Sequence, residues 1–169
     1  MNASTNRFDP YRNFRFRVKW EGQYVAGLSK MGALKRSTEM TEWYEAGVNV
    51  TSRKLPGKTK YEAVSLEAGV TYDTAFEDWA NLVNDFASHS STSPDFRKNV
   101  TVDVFNEAGG NPVLSYTLYR AWVSEYQALP DLDSGANAVA ISSIKLEYEF
   151  FERDLSVTEA PDQGPVRSG

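Results

Sequence analysis

Strict alternation of apolar and polar residues marks the first regular segment of the chain. Its apolar residues fall on one side of an extended backbone and its basic residues on the other: Phe14, Phe16, Val18 and Trp20 against Arg15, Arg17 and Lys19. This period of two predicts a β-strand with one solvent-exposed, basic face (called a wet face below). Glu21-Gly22 predicts a turn, residues 23–28 predict a returning hairpin strand, and a loop containing Gly32 follows.

Similar patterns predict further strands over residues 38–44, 61–71, 100–105, 113–126 and 139–152. The strand over 113–126 is expected to bend near Ala121. The last strand divides its side chains between two faces, with Ile144, Leu146, Tyr148 and Phe150 on one and Lys145, Glu147, Glu149 and Phe151 on the other. The chain is therefore predicted to be rich in β-structure.

One segment has helical spacing instead. Its apolar residues recur every three or four positions, at Phe76, Trp79, Leu82, Val83 and Phe86. This spacing predicts an amphipathic helix with one apolar stripe. Asp73 or Thr74 can cap its first turn, and the polar run over 88–94 ends it.

A long connection is predicted over residues 47–60. Pro56-Gly57 suits the centre of a type II turn, because proline presets one dihedral angle and glycine supplies a positive one. The segment offers few residues that could anchor it in its own core. Long loops in compact domains are uncommon and are often functional.

Together these elements predict a mostly β fold with one flanking α-helix, arranged as an antiparallel β-sandwich or barrel. The expected organisation is a flexible N-terminal arm over 1–10, one β domain over 11–153 and a C-terminal tail over 154–169. A chain of 169 residues is long enough to bury a substantial core.

Charge and composition narrow the classes of function. The formal net charge is -5, whereas a protein that grips nucleic acid normally carries a basic surplus. No cysteine is present, which excludes disulfides and thiolate metal sites. No stretch approaches the roughly 20 apolar residues of a membrane helix, and no apolar signal core opens the chain. We expect neither specific nucleic-acid binding nor a membrane anchor.

Catalytic and metal-binding patterns are weak. The single histidine, His89, lies in a polar serine run at the predicted end of the helix, where a solvated position is the better interpretation. Asp131-Leu132-Asp133 resembles part of a calcium loop but lacks the distal glutamate. Strand glutamates such as Glu147 could be imagined as a glycosidase pair, although nothing fixes their separation. We expect no cofactor, no metal site and no enzyme activity.

Five segments, in order, resemble motifs of the phage tail tube protein family. Residues 9–16 read DPYRNFRF, similar to the family's lead into its first strand, and residues 26–34 read AGLSKMGAL, similar to the segment after it. Residues 44–47 read YEAG, similar to a stretch that usually has a second glycine, and residues 53–61 read RKLPGKTKY. Gly69-Val70-Thr71 and Trp79 resemble the approach to the family's helix. The likeness covers roughly residues 9–85.

This resemblance implies a structural subunit that forms hexameric rings, whose strands join into one inner barrel. The rings would stack into a hollow tube inside a contractile sheath. The implied partners are other copies of the chain, the sheath protein, baseplate or tube-initiator proteins, and a possible cargo in the lumen. The implied location is the bacterial cytoplasm during assembly and a phage tail or released phage-tail-like particle afterwards.

The residues expected to contact neighbouring subunits or rings lie on the long connection and just after it: Val48, Asn49, Val50, Arg53, Lys54, Leu55, Pro56, Gly57 and Tyr61. Two wet strand faces are candidates to line the lumen or to face the sheath, namely Arg15, Arg17 and Lys19, and Lys145, Glu147 and Glu149. Three alternatives stay open: a type VI secretion ring protein, a tube initiator or adaptor at the baseplate, and a monomeric β-sandwich binding module.

Overall fold

The computed structural model describes residues 14–44, 47, 52–71, 73–88, 95–106, 110–135 and 139–158. The predicted N-terminal arm, His89 and the candidate contact residues Val48, Asn49 and Val50 lie outside these ranges.

The described residues form ten strands and one helix. The strands are β1 Arg15–Trp20, β2 Gln23–Tyr24, β3 Leu28–Met31, β4 Arg36–Trp43, β5 Arg53–Tyr61, β6 Val64–Gly69, β7 Lys98–Phe105, β8 Leu114–Gln127, β9 Ile141–Glu147 and β10 Phe150–Arg153. The helix α1 spans Ala75–Ser88. This confirms the mostly β fold with one helix.

The strands other than β4 and β5 form one strongly bent antiparallel assembly in the order β2-β1-β7-β8-β9-β6-β3, with β10 also paired to β8. The long strand β8 runs through both sheets of this assembly. The β1 sheet consists of β2, β1, β7, β10 and the first half of β8. The β6 sheet consists of β3, β6, β9 and the second half of β8.

The predicted bend of β8 is present, at Arg120 and Ala121. Arg120 has a positive φ of 52°, and its N–H donates to the Asn99 side chain at 3.1 Å. Its Nε donates to Glu149 Oε1 at 2.9 Å. This bend also divides the strand predicted over 139–152 into β9 and β10. Both strands pair with β8, but Tyr148 and Glu149, which lie opposite the bend, belong to neither strand. The prediction of one continuous strand there was wrong.

The core lies between the two sheets, and the predicted alternation accounts for most of it. Its fully buried members include Val18, Val64, Leu66, Val100, Leu118, Ile144 and Leu146. Phe14, which the pattern placed on the same face as Val18, is 58% exposed because it precedes the strand. The returning strand predicted over 23–28 is limited to Gln23–Tyr24; Leu28 starts β3, which pairs with β6 instead.

The helix closes the core along one side. Asp73, one of the two predicted caps, accepts a hydrogen bond from the Ala75 N–H at 3.0 Å. Trp79 is fully buried, its ring lies 4.8 Å from that of Trp20, and its indole N–H donates to the Phe96 carbonyl at 2.8 Å. The apolar stripe therefore serves as the helix's packing face.

Candidate assembly site

Among the described residues, strands β4 and β5 pair only with each other and form a separate two-stranded ribbon. Every residue from Arg36 to Trp43 and from Arg53 to Lys60 is exposed. At the base of this β4–β5 ribbon, the Glu62 N–H donates to the Lys35 carbonyl at 3.0 Å. The ribbon therefore projects from the β3–β6 end of the β6 sheet without packing on the core.

The strand β5 corrects the predicted loop over residues 47–60. Pro56 and Gly57 lie inside β5, at a register shift opposite Glu39, and not at the centre of a turn. A Cβ on Gly57 would come within 3.0 Å of Thr41 Oγ1 and 3.2 Å of the Glu39 carbonyl oxygen. A side chain at position 57 would be crowded because the bulge brings the two backbones close together.

Large apolar side chains are exposed along the ribbon and directly after it. Met40 is 56% exposed, Trp43 49%, Tyr44 65% and Leu55 50%. Leu55 is paired with Thr41 and lies diagonally from Trp43, so these two apolar side chains share one face of the ribbon. Exposed apolar groups concentrated on one projecting element make the ribbon a candidate interaction surface.

The ribbon is also basic, in contrast to the acidic chain as a whole. Five basic residues stand against two acidic ones within its strands: Arg36, Arg53, Lys54, Lys58 and Lys60 against Glu39 and Glu42. Lys54 is paired across the ribbon with Glu42, and Arg53 with Trp43. The surface therefore combines apolar contact area with a positive charge that suits an acidic neighbour.

Of the predicted contact residues, the structure brings Arg53, Lys54, Leu55, Pro56 and Gly57 together on the projecting part of β5. Tyr61 has a different environment, at the base of the ribbon. Its ring packs edge-on against Phe151 at 5.3 Å and Tyr148 at 6.2 Å, so it anchors the ribbon to the domain.

The first predicted wet face lies on the outer side of the β1 sheet. The Arg17 guanidinium lies over the rings of Tyr24 at 5.6 Å and Phe105 at 5.7 Å. Lys19 lies 3.7 Å from Asp103 Oδ2. These cations are held by aromatic and acidic neighbours, while Arg15 at the start of the strand is exposed.

Asp103 was missed by sequence reasoning, although it organises this face. It is only 3% exposed and accepts hydrogen bonds from Ser115 Oγ at 2.7 Å and Tyr24 Oη at 2.8 Å. The hydrogen bond to Asp103 raises the pKa of Tyr24. The sequence did contain a signal for Asp103. It is the only carboxylate in the alternating segment over 100–105, and the neighbouring strand β1 carries a row of basic residues.

The second predicted wet face lies on the outer side of the β6 sheet. Lys145 is exposed and Glu147 is half-buried, on the strand face opposite Ile144 and Leu146. Glu149 lies in the interruption between β9 and β10, where it pairs with Arg120. Glu149 is therefore part of the bend and is separate from the β6 sheet.

The calcium-loop pattern noted in the sequence does not form a metal site among the described residues. No group of three or more histidine, aspartate or glutamate side chains in this part of the chain could hold a metal ion. Asp133 Oδ1 instead accepts a hydrogen bond from the Gly135 N–H at 2.9 Å, as in an ordinary aspartate turn. The helix within the described ranges is too short and too polar to cross a membrane.

The architecture is shared with several solved structures. A chain in the cryo-EM structure of the anti-feeding prophage baseplate is 25% identical, with a TM-score of 0.68, over 86% of this chain and 93% of that chain. A chain of the sheath–tube complex of PVC, an extracellular contractile injection system, is 22% identical, with a TM-score of 0.70, over 86% and 91%. A type six secretion system protein shares the fold alone, at 14% identity and a TM-score of 0.53, over 87% and 90%.

The fold is thus of the tail-tube class, a class of structural proteins. None of the curated proteins compared with the chain matches it in sequence. The chain belongs to the T4-like virus tail tube protein gp19 family, which it matches over residues 12–152. The family resemblance drawn from the sequence motifs is confirmed.

Proposed function

We propose that this chain is the structural subunit of the inner tube of a contractile phage-tail-like injection system. Six copies form a ring, and the rings stack into a hollow conduit and puncturing rod. Membership of the tail tube family supports the tube role. The observation that supports the stacking role is the β4–β5 ribbon, which is exposed over Arg36–Trp43 and 53–60 and pairs with no other strand of the described chain.

The ribbon's physical chemistry favours a neighbouring subunit as its partner. A two-stranded hairpin is marginal in water by itself, and both of its outer edges carry unpaired backbone groups. Covering Trp43 and Leu55 with a neighbour removes apolar surface from water and stabilises the ribbon. Such a contact joins two different surfaces of neighbouring subunits. Repeated within one ring it gives a closed assembly, and repeated between rings it gives a filament of unlimited length.

The partners follow from this role. The tube is surrounded by a sheath protein, begins on baseplate or tube-initiator proteins and holds cargo in its lumen or at its tip. Its subunits assemble in the bacterial cytoplasm, and the finished particle can be released. The energy comes from sheath contraction, since the chain itself performs no chemistry in this proposal.

Negative-stain electron microscopy of the purified chain, combined with its mass in solution, tests the proposal. We expect rings with a central hole, or tubes of stacked rings. Arg53→Glu on the ribbon should shorten or abolish the tubes, whereas Arg153→Glu, an exposed strand arginine outside the ribbon, should not. A strict monomer at high concentration would favour the binding-module alternative.

A tube initiator or adaptor at the baseplate is the second candidate. It is favoured by the likeness to a chain in the anti-feeding prophage baseplate. An initiator makes one ring and stops, whereas a tube subunit adds rings without limit. The length distribution of particles formed by the pure chain therefore separates the two roles.

A further inference from the structure

Apart from Ile141 at the start of β9 and Trp122 on β8, the side chains on the outer face of the β6 sheet are polar. The polar ones are serines and charged groups with one glutamine: Ser29, Lys30, Ser65, Glu67, Glu125, Gln127, Ser143, Lys145 and Glu147. They form cross-strand rows, such as Ser65–Lys145–Glu125. Their strand neighbours Val64, Leu66, Ile144 and Leu146 point into the core. Trp122, at the end of one row, packs its ring against Phe96.

The outer face of the β1 sheet differs in that aromatic rings lie among its polar groups. Tyr24 and Phe105 hold the Arg17 guanidinium, and the rings of Tyr119 and Phe150 stack at 4.5 Å. Aromatic rings with guanidinium groups are typical of the centres of protein–protein contacts. A face of this kind would adsorb a polymer that slides along it.

From this contrast we infer that the outer face of the β6 sheet lines the channel and that the outer face of the β1 sheet lies at larger radius, against protein. The inference rests on the proposed tube function and adds to it the choice between the two wet faces. The wall of a channel must be hydrated and must bind the passing cargo only weakly. Short hydroxyls and charges of both signs meet that requirement because they bind water and offer no apolar contact.

The charges of this wall nearly cancel. Lys30 and Lys145 stand against Glu67, Glu125 and Glu147, which leaves one net negative charge per subunit. The carboxylates are interspersed with the lysines along the rows, so no basic track is available to bind a polyanion. A wall of this composition lets an acidic or neutral cargo pass with little retention.

Spin labelling can test this assignment through geometry alone. In a sixfold ring, the distance between labels on adjacent subunits equals the distance of the label from the axis. The chain has no cysteine, so Ser65→Cys and Thr117→Cys each give a single attachment site. Ser65 lies on the outer face of the β6 sheet, and Thr117, paired with Thr101 and Glu152, lies on that of the β1 sheet.

The measurement is the shortest nitroxide–nitroxide distance, by pulsed dipolar spectroscopy, in assemblies that electron microscopy shows to be rings or tubes. Because packed sheets lie about 10 Å apart, the Ser65→Cys distance should be shorter than the Thr117→Cys distance by about 10 Å or more. Equal distances or the reverse order, in intact rings, would overturn the assignment while leaving the tube function standing. Absence of rings and of dipolar coupling in both variants would overturn the tube function as well.

Discussion

Leu55, the third residue of the projecting strand β5, offers a sharp test of the ribbon's role. Burying a whole leucine side chain stabilises by roughly 1.5–3 kcal/mol. Leu55 is 50% exposed, so covering the remaining half contributes about 0.75–1.5 kcal/mol per contact. Leu55→Ser should therefore weaken each contact between subunits by roughly three- to twelvefold.

The assay is the lowest protein concentration at which tubes form, measured by sedimentation and confirmed by electron microscopy. Leu132→Ser is the matched control, because Leu132 is 72% exposed on a loop away from the ribbon. The thermal midpoint of the unassembled chain should be unchanged in both variants, since neither leucine contributes to the core cluster. Unchanged assembly in Leu55→Ser, or equal loss in the control, would refute the reasoning.

Three further predictions concern the domain itself. Trp79→Ala should lower the free energy of unfolding in urea by about 3–5 kcal/mol, because it empties a buried site and removes the hydrogen bond to Phe96. Arg120→Gly should be more stable than Arg120→Ala by about 1 kcal/mol, because φ is 52° there; equal melting curves would show the backbone to be unstrained. The raised pKa of Tyr24 means that its hydrogen bond to Asp103 stabilises fully below the usual tyrosine pKa of 10.0 and is lost as pH rises through the higher folded value. Tyr24→Phe should therefore flatten the alkaline fall in stability, measured by urea unfolding across pH.

The strands that bury one face were predictable from the sequence. In β1, β6 and β9 every second side chain enters the core, so the apolar pattern repeats with the period of the strand. The helix was predictable for the same reason, since Phe76 and Trp79 lie on its buried stripe.

In the ribbon, β4 matches the strand predicted over 38–44, but β5 could not be predicted from a core pattern because none of its residues from Arg53 to Lys60 is buried. Without a core to face, the segment has no apolar alternation, and Pro56-Gly57 carries the ordinary signal of a turn. Only the pairing with β4 makes that dipeptide a bulge. The interruption at Tyr148 and Glu149 was equally hidden, because it is imposed by the bend of a different strand at Arg120.

The bulge at Gly57 has a consequence for the chain before assembly. A free ribbon with open edges is a template for indiscriminate aggregation into fibres. Pro56 offers no N–H to an incoming strand, the bulge interrupts a flat edge, and like charges on Lys54 and Lys58 repel a second ribbon of the same kind. Tube formation and fibre formation both use the open strand edges of the ribbon. The proline, the bulge and the like charges disfavour pairing between identical ribbons and therefore disfavour the fibre.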